Sequence, residues 1–222
     1  MKAIFYKEWI KTRIYLSFAF IMTVGFAGYS MLRMYRVADL KGAQHLWEVM
    51  LTRDALFVDA MTYVPLIAGI ALALVQYMPE MYHKCLKLTL HLPLPHFSTI
   101  NGMLLFGTGT LCACFAAEYL LMTACMHGLL ARELAARVLL TALPWHLAGI
   151  AAYLLAAWIC IEPTWKRRIA NIAVSILLLR LYFLAPAPEA YNGFLPLLTV
   201  YTLATASLSW LSAVRFTEGK QD

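Results

Sequence analysis

The fold of this chain is decided by residues 138–161, which read VLLTALPWHLAGIAAYLLAAWICI. This stretch contains no lysine, arginine, aspartate or glutamate. A membrane-spanning α-helix needs about 20 mostly apolar residues to cross roughly 30 Å of hydrocarbon. The stretch meets that requirement, and the sequence therefore predicts a helix that crosses a lipid bilayer.

Similar apolar segments occur along the whole chain. Together they predict six spans, at about residues 14–32, 55–78, 98–122, 138–161, 169–185 and 194–214. Because the fifth segment is short, the fifth and sixth could instead form a re-entrant pair around Pro186, Pro188 and Gly193. The predicted fold class is an all-α integral membrane protein, with residues 1–222 forming a single transmembrane domain built as a six-helix bundle.

The composition excludes a soluble globular domain. Hydrophobic residues make up 62% of the 222 residues and charged residues only 14%, whereas a soluble domain has about 45–50% and about 25%. The net charge of +6 comes from basic residues that lie beside apolar runs. Such residues orient spans and contact lipid headgroups, so we expect the bilayer as a partner and no nucleic acid.

Residues 1–13 predict a short amphipathic helix that lies in the cytoplasmic membrane interface. Its apolar arc holds Phe5, Tyr6, Trp9 and Ile10, and its polar arc holds Lys7, Glu8, Lys11 and Thr12. The alternative is ordinary basic flanking of the first span. More lysines and arginines fall on the side of the N-terminus than on the other side, which predicts that both termini are cytoplasmic.

The most informative loop is residues 79–95, which read PEMYHKCLKLTLHLPLP. Proline and an acidic residue favour a helix start, and the prolines at the far end stop the helix. Leucines at every second position from Leu86 to Leu94 are also compatible with a strand. We favour a helix to about Leu90, followed by extended chain.

With its amphipathic start, six spans and leucine-rich loop ending in Leu-Pro, the chain resembles the permeases of type-2 ABC transporters. At residues 83–85 that family commonly carries glycine, where this chain has His-Lys-Cys. The resemblance implies that the loop forms a coupling helix in a groove of a cytoplasmic ATP-binding subunit. The residues that it assigns to this contact are Glu80, His83, Lys84, Leu86, Leu90, Leu92 and Pro93.

The resemblance also implies two partners. One is the ATP-binding subunit, which would hold ATP and magnesium, and the other is a second six-span permease that is identical or related. The chain has no G-x-x-x-x-G-K-[ST] phosphate loop, so we expect no ATPase activity and no cofactor in this chain itself.

Four polar residues lie within predicted spans, where a charge costs at least about 2.5–3.5 kcal/mol and therefore needs a reason. They are Asp59, Glu118, His146 and Arg180. One interpretation is an ion pair that fixes helix packing, for example Arg180 with Glu118 or Asp59. The other is a polar lining of a substrate pathway. No metal site is predicted, because Cys112 and Cys114 point about 200° apart on a helix.

The sequence thus predicts the permease subunit of an ABC transporter, in the plasma membrane of a bacterium (the bacterial inner membrane), which couples ATP hydrolysis in a separate subunit to export. Three alternatives stay open. The first is a permease similar to the haem exporter of cytochrome c maturation, and the second is a membrane assembly subunit that transports nothing. The third is an intramembrane enzyme, although neither G-x-S-x-G nor H-E-x-x-H occurs.

Overall fold

The computed structural model describes residues 2–82, 96–185 and 187–217. Within these ranges the chain is helical and contains no β-strand. The α-helices are α1 (Lys2–Lys41), α2 (Ala43–Thr52), α3 (Val64–Tyr82), α4 (His96–Met126), α5 (Arg132–Ile161), α6 (Trp165–Arg180), α7 (Leu195–Ala204) and α8 (Ala206–Thr217). Short 3-10 turns occur at Asp59–Met61, Leu181–Phe183 and Asn192–Phe194.

Five helical stretches are long and apolar enough to cross a membrane. They are Lys2–Lys41, Asp59–Tyr82, Phe97–Met126, Arg132–Ile161 and Asn192–Arg215. The predicted all-helical fold is therefore confirmed, and the chain is a multi-pass membrane protein. The predicted span at 169–185 falls on α6, which has 16 residues, and on the 3-10 turn that follows it.

Helix α5 is the centre of the bundle and packs against α3, α4, α6, α7 and α8. Its closest neighbour is α3, and the two helices meet at glycines. A Cβ atom on Gly69 would lie 2.0 Å from the Gly149 carbonyl oxygen, and one on Gly149 would lie 2.6 Å from the Pro65 carbonyl oxygen. Small residues allow helix backbones to approach this closely inside a membrane.

The bundle has two ends, each with its own apolar cluster. The first cluster includes Ile4, Tyr77, Ile161 and Ala213, and we call this side the loop end because the chain leaves it at Tyr82 towards residues 83–95. The second cluster is rich in methionine, with Met34, Met50, Met61, Met122 and Met126. We call that side the cavity end.

Helix α6 and its 3-10 turn connect the two ends. At the loop end, the Arg168 guanidinium donates a 2.8 Å hydrogen bond to the Glu162 carbonyl. At the cavity end, the Phe183 ring stacks on Tyr63 with a centroid distance of 5.2 Å. The residues between them expose Ile169, Ile176 and Leu177.

The N-terminal region differs from the prediction. Helix α1 runs without interruption from Lys2 to Lys41, so residues 2–13 are its first part and not a separate interfacial helix. No proline or glycine stands near residue 13 to break it. Its polar arc faces the protein, where Glu8 and Thr12 are buried, while Trp9 and Ile10 of the apolar arc are about half exposed.

Candidate functional site

A buried ion cluster, formed by Lys7, Glu8, Lys11 and Glu80, lies at the loop end. The Glu80 Oε1 atom is 2.9 Å from the Nζ atoms of both Lys7 and Lys11. Lys11 Nζ is also 2.9 Å from Glu8 Oε2. Both carboxylates are almost fully buried, and the two lysines balance their charge.

The ion cluster explains why the polar arc of α1 faces inward. Positions 7, 8 and 11 share one side of a helix, and that side packs against the last turn of α3, where Glu80 lies. A buried carboxylate is tolerated only with a partner that offsets its lost hydration. The cluster therefore ties α1 to α3 three residues before the loop that begins at residue 83.

This position bears on the predicted coupling residues. Glu80 is 3% exposed and binds lysines of its own chain, so its carboxylate stabilises the bundle where the loop begins. The other predicted contact residues lie outside the described residues; they are His83, Lys84, Leu86, Leu90, Leu92 and Pro93.

A second buried carboxylate, Glu162, lies at the loop end directly after α5. It accepts hydrogen bonds from the hydroxyls of Ser212 and Thr164 and is 3.3 Å from the Arg215 guanidinium. Burial alone would raise the pKa of Glu162. The two hydroxyl groups, together with the charges of Arg215 and Arg167, outweigh burial and hold the pKa below its usual value.

In the middle of the bundle, Glu118 of α4 meets His146 of α5. The Glu118 Oε1 atom lies 3.2 Å from His146 Nε2, and both side chains are buried. His146 Nδ1 lies 2.8 Å from the Ala142 carbonyl. Because a carbonyl only accepts, this hydrogen bond requires the tautomer with a proton on Nδ1.

The pair settles how two of the four predicted intramembrane residues are arranged. The suggested ion pair of Arg180 with Glu118 or Asp59 is not present, because Glu118 binds His146 and Arg180 is exposed. The rings of Phe115 and Tyr119 pack against His146 at centroid distances of 4.8 and 4.9 Å. The pair is thus enclosed by aromatic side chains.

Sequence reasoning missed a polar network that lies about two turns along α5 from this pair, towards the loop end. The Tyr153 hydroxyl donates to Gln76 Oε1 at 2.8 Å, and Gln76 Nε2 donates to the Met103 carbonyl at 3.0 Å. Gly107 makes room for it, since a Cβ atom there would lie 2.1 Å from the Tyr153 hydroxyl oxygen. The signal was available, because a glutamine inside an apolar span must find a partner.

A cavity of about 220 Å³ opens at the cavity end. Two carboxylates and four aromatic side chains stand in its wall: Asp59, Glu189, Tyr63, Trp145, Phe183 and Tyr191. Arg137 lies beside it, with Nη2 2.5 Å from Asp54 Oδ1 and Nε 3.7 Å from Glu189 Oε2. Within the described ranges, no side chain forms an ion pair or hydrogen bond with the Asp59 carboxylate.

Comparison of the chain with protein-family models found no match, and comparisons with curated proteins and with solved structures found none either. The structure brings Glu118 and His146 together, places Asp59 in the cavity and leaves Arg180 on the surface. The candidate functional features are therefore the cavity, the pair of Glu118 and His146, and the ion cluster at the opposite end.

Proposed function

We propose that this chain is the transmembrane permease subunit of a type-2 ABC transporter and couples ATP hydrolysis in a separate cytoplasmic subunit to export. The observation that supports this best is the ion cluster at the base of the loop. Glu80 binds Lys7 and Lys11, so a movement of residues 83–95 would act on α1 and α3 together. Coupled rigid-body shifts of packed helices are a common form of transmission.

The proposal includes six spans. Helix α6 and its 3-10 turn begin beside Glu162 and end against Tyr63, which supports a fifth crossing before the sixth at Asn192–Arg215. With both termini in the cytoplasm, the loop end faces the ATP-binding subunit and the cavity end faces outward. We assign the chain to the plasma membrane of a bacterium, that is, to the bacterial inner membrane.

The proposed transporter contains two permease chains, either two copies of this chain or this chain and a relative, and ATP and magnesium bind to the cytoplasmic partner. Helix α1 offers a large apolar outer face, with Ile14, Phe18 and Ile21 all more than half exposed. Such a face suits lipid or a second permease. Of the four pathway candidates, Asp59 lies at a cavity, whereas Glu118 and His146 fix α4 against α5.

Co-purification tests the proposal. The chain is extracted in mild detergent from its own membranes, co-purifying ATP-binding proteins are identified by mass spectrometry, and the ATPase activity of the complex is measured in proteoliposomes. A Leu86→Glu variant introduces a charge into the loop and should abolish both association and activity. Leu51→Glu, at an exposed leucine near the cavity end, is the matched control and should retain both.

Two results would contradict the proposal. In the first, no ATP-binding protein accompanies the chain, which would favour an assembly subunit that transports nothing. In the second, Leu86→Glu and Leu51→Glu associate with the ATP-binding protein equally well, which would remove the loop from the contact.

A further inference from the structure

We infer that the cavity at the cavity end binds a small organic cation with an alkylated ammonium group. Its wall combines several aromatic rings with the Asp59 carboxylate, which has no partner among the described residues. This inference does not rest on the proposed transport function, because binding at this cavity requires neither ATP nor a second subunit.

The charge around the cavity favours a cation. Arg137 binds Asp54 at 2.5 Å and lies 3.7 Å from Glu189, so one guanidinium is shared by two carboxylates. Neither an ion pair nor a hydrogen bond joins the Asp59 carboxylate to another side chain of the described residues. This carboxylate attracts a cation and repels an anion.

The cavity has an aromatic wall, because Tyr63, Trp145, Phe183 and Tyr191 all line it. The stacked rings of Tyr63, just before α3, and Phe183, in the turn after α6, form a continuous part of this wall. Aromatic faces attract cations, and cages of aromatic rings recognise quaternary ammonium groups. A metal ion with tightly held water would gain less from these rings.

The Tyr191 hydroxyl donates to the Leu181 carbonyl at 2.8 Å and accepts from the Leu184 and Ala185 amides at 3.0 and 3.1 Å. Because these bonds use the hydroxyl, Tyr191 offers the cavity its ring. This favours a ligand with methyl or methylene groups around the charge over one that needs many hydrogen-bond partners.

The backbone at Glu189, the second carboxylate of the wall, is held against α5. The Glu189 amide donates to Thr141 Oγ1 at 3.1 Å, and Glu189 adopts a left-handed conformation with φ 59°. Pro144, which also lines the cavity, has no N–H to bond the Leu140 carbonyl. The Glu189 carboxylate therefore starts from a fixed backbone position beside the cavity.

The size of the cavity limits the ligand. Pockets for drug-sized molecules measure about 300–1,000 Å³, whereas this cavity measures about 220 Å³. A small alkylammonium ion fits, while a large amphiphile or a peptide would have only its cationic head group inside.

The test is a calorimetric titration of the purified full chain in detergent with tetramethylammonium and with choline, at constant ionic strength. The neutral isostere of choline, 3,3-dimethyl-1-butanol, is titrated in parallel. We expect both cations to bind and the alcohol to bind at least about tenfold more weakly, since it lacks the charge that Asp59 and the rings attract.

Two variants locate the site. Asp59→Asn keeps the shape of an exposed side chain and should weaken cation binding about tenfold or more, and Trp145→Leu should weaken it to a similar extent. Asp39→Asn, at an exposed carboxylate near the end of α1 and outside the cavity wall, is the matched control and should bind normally. Gel filtration and circular dichroism establish that each variant is folded.

The inference is overturned if neither cation binds to the folded chain, if the alcohol binds as tightly as choline, or if Asp59→Asn and Asp39→Asn bind equally well. None of these results would affect the association with an ATP-binding subunit. Conversely, loss of that association in Leu86→Glu would leave cation binding unchanged.

Discussion

Glu80 and Glu162 at the loop end differ from Asp59 at the cavity end in burial and in partners. At the loop end, Glu80 binds two lysines and Glu162 binds Arg215 and two hydroxyls. At the cavity end, Asp59 faces an open cavity, and within the described ranges no cation pairs with it. The same chemical group therefore holds helices together at one end and is available to a ligand at the other.

Burial explains the difference. Glu80 and Glu162 are 3% and 0% exposed, and a carboxylate so far from water must be offset by cations and hydrogen-bond donors. Asp59 is exposed, so water can hydrate its carboxylate. A ligand can therefore bind the Asp59 carboxylate without disrupting a contact that stabilises the fold.

The largest effect is expected where α3 and α5 meet, because these helices link the two ends. Gly149→Leu would place a side chain where even a Cβ atom lies 2.6 Å from the Pro65 carbonyl oxygen. Backbone cannot move aside as a flexible side chain can, so overpacking here should exceed the usual range of about 1–3 kcal/mol. We expect no folded protein by gel filtration in detergent.

The control for this variant is Gly109→Leu, because a Cβ atom on Gly109 meets nothing within 4 Å. This variant should yield folded protein in normal amounts. If the two variants gave equal amounts of folded protein, the close contact between α3 and α5 would not be what holds the two ends together.

The second prediction breaks the ion cluster. Lys11→Met leaves Lys7 as the one cation that binds Glu8 and Glu80 among the described residues. Removal of one partner of a buried ion pair costs about 3–5 kcal/mol. Because the Lys11 side chain is 19% exposed, we expect about 3 kcal/mol, measured by thermal unfolding in detergent. Lys41→Met, at the exposed end of the same helix, should change the unfolding free energy little.

A double variant sharpens this result. Lys11→Met combined with Glu80→Gln removes one charge of each sign and should recover a large part of the lost stability. If Lys11→Met is as stable as Lys41→Met, the cluster does not hold α1 to α3.

The third prediction concerns the pair between the ends. Glu118→Leu leaves buried His146 without its partner at Nε2, which should cost about 2 kcal/mol. Glu118→Gln keeps a hydrogen-bond partner, because its amide can both donate and accept, and should cost less than half of that. If both variants keep full stability and lose transport in proteoliposomes, the pair belongs to a substrate pathway and does not serve as a structural contact.

The helical architecture could be predicted because the membrane leaves few choices. Backbone groups without water must bond within their own helix, so apolar runs such as residues 138–161 become helices. The faces of α1 could not be assigned from the same pattern. An apolar arc and a polar arc suit a helix on the membrane surface, and they suit equally a spanning helix whose polar arc meets Glu80.

The polar residues inside the membrane could be found but not paired. Their cost marks Glu118 and His146 as residues that need partners, yet the contact depends on the rotation and relative height of α4 and α5. The sequence does not encode these in any local pattern. The cavity was even harder to predict from the sequence, because the residues that line it come from separate stretches around Asp59, Trp145 and Glu189.

The fourth prediction is a dependence of stability on pH at the loop end. The pKa of Glu162 is lowered in the folded chain, so its stabilisation is present above the unfolded value, about 4.3, and is lost as pH falls through the folded value. Glu162→Gln should cost about 1 kcal/mol at pH 7 and should lose less stability than the native chain on acidification. Parallel unfolding curves from pH 7 to acid would contradict the role of Glu162.

The smallest effect on stability, and the sharpest test of the difference between the ends, is expected for Asp59→Asn. Since Asp59 is exposed and pairs with no cation of the described residues, the free energy of unfolding should change by no more than about 0.5 kcal/mol. Lys11→Met at the loop end should cost several times as much. If Asp59→Asn destabilises the chain as strongly as Lys11→Met, the Asp59 charge is already neutralised within the protein, and the cavity end would work like the loop end.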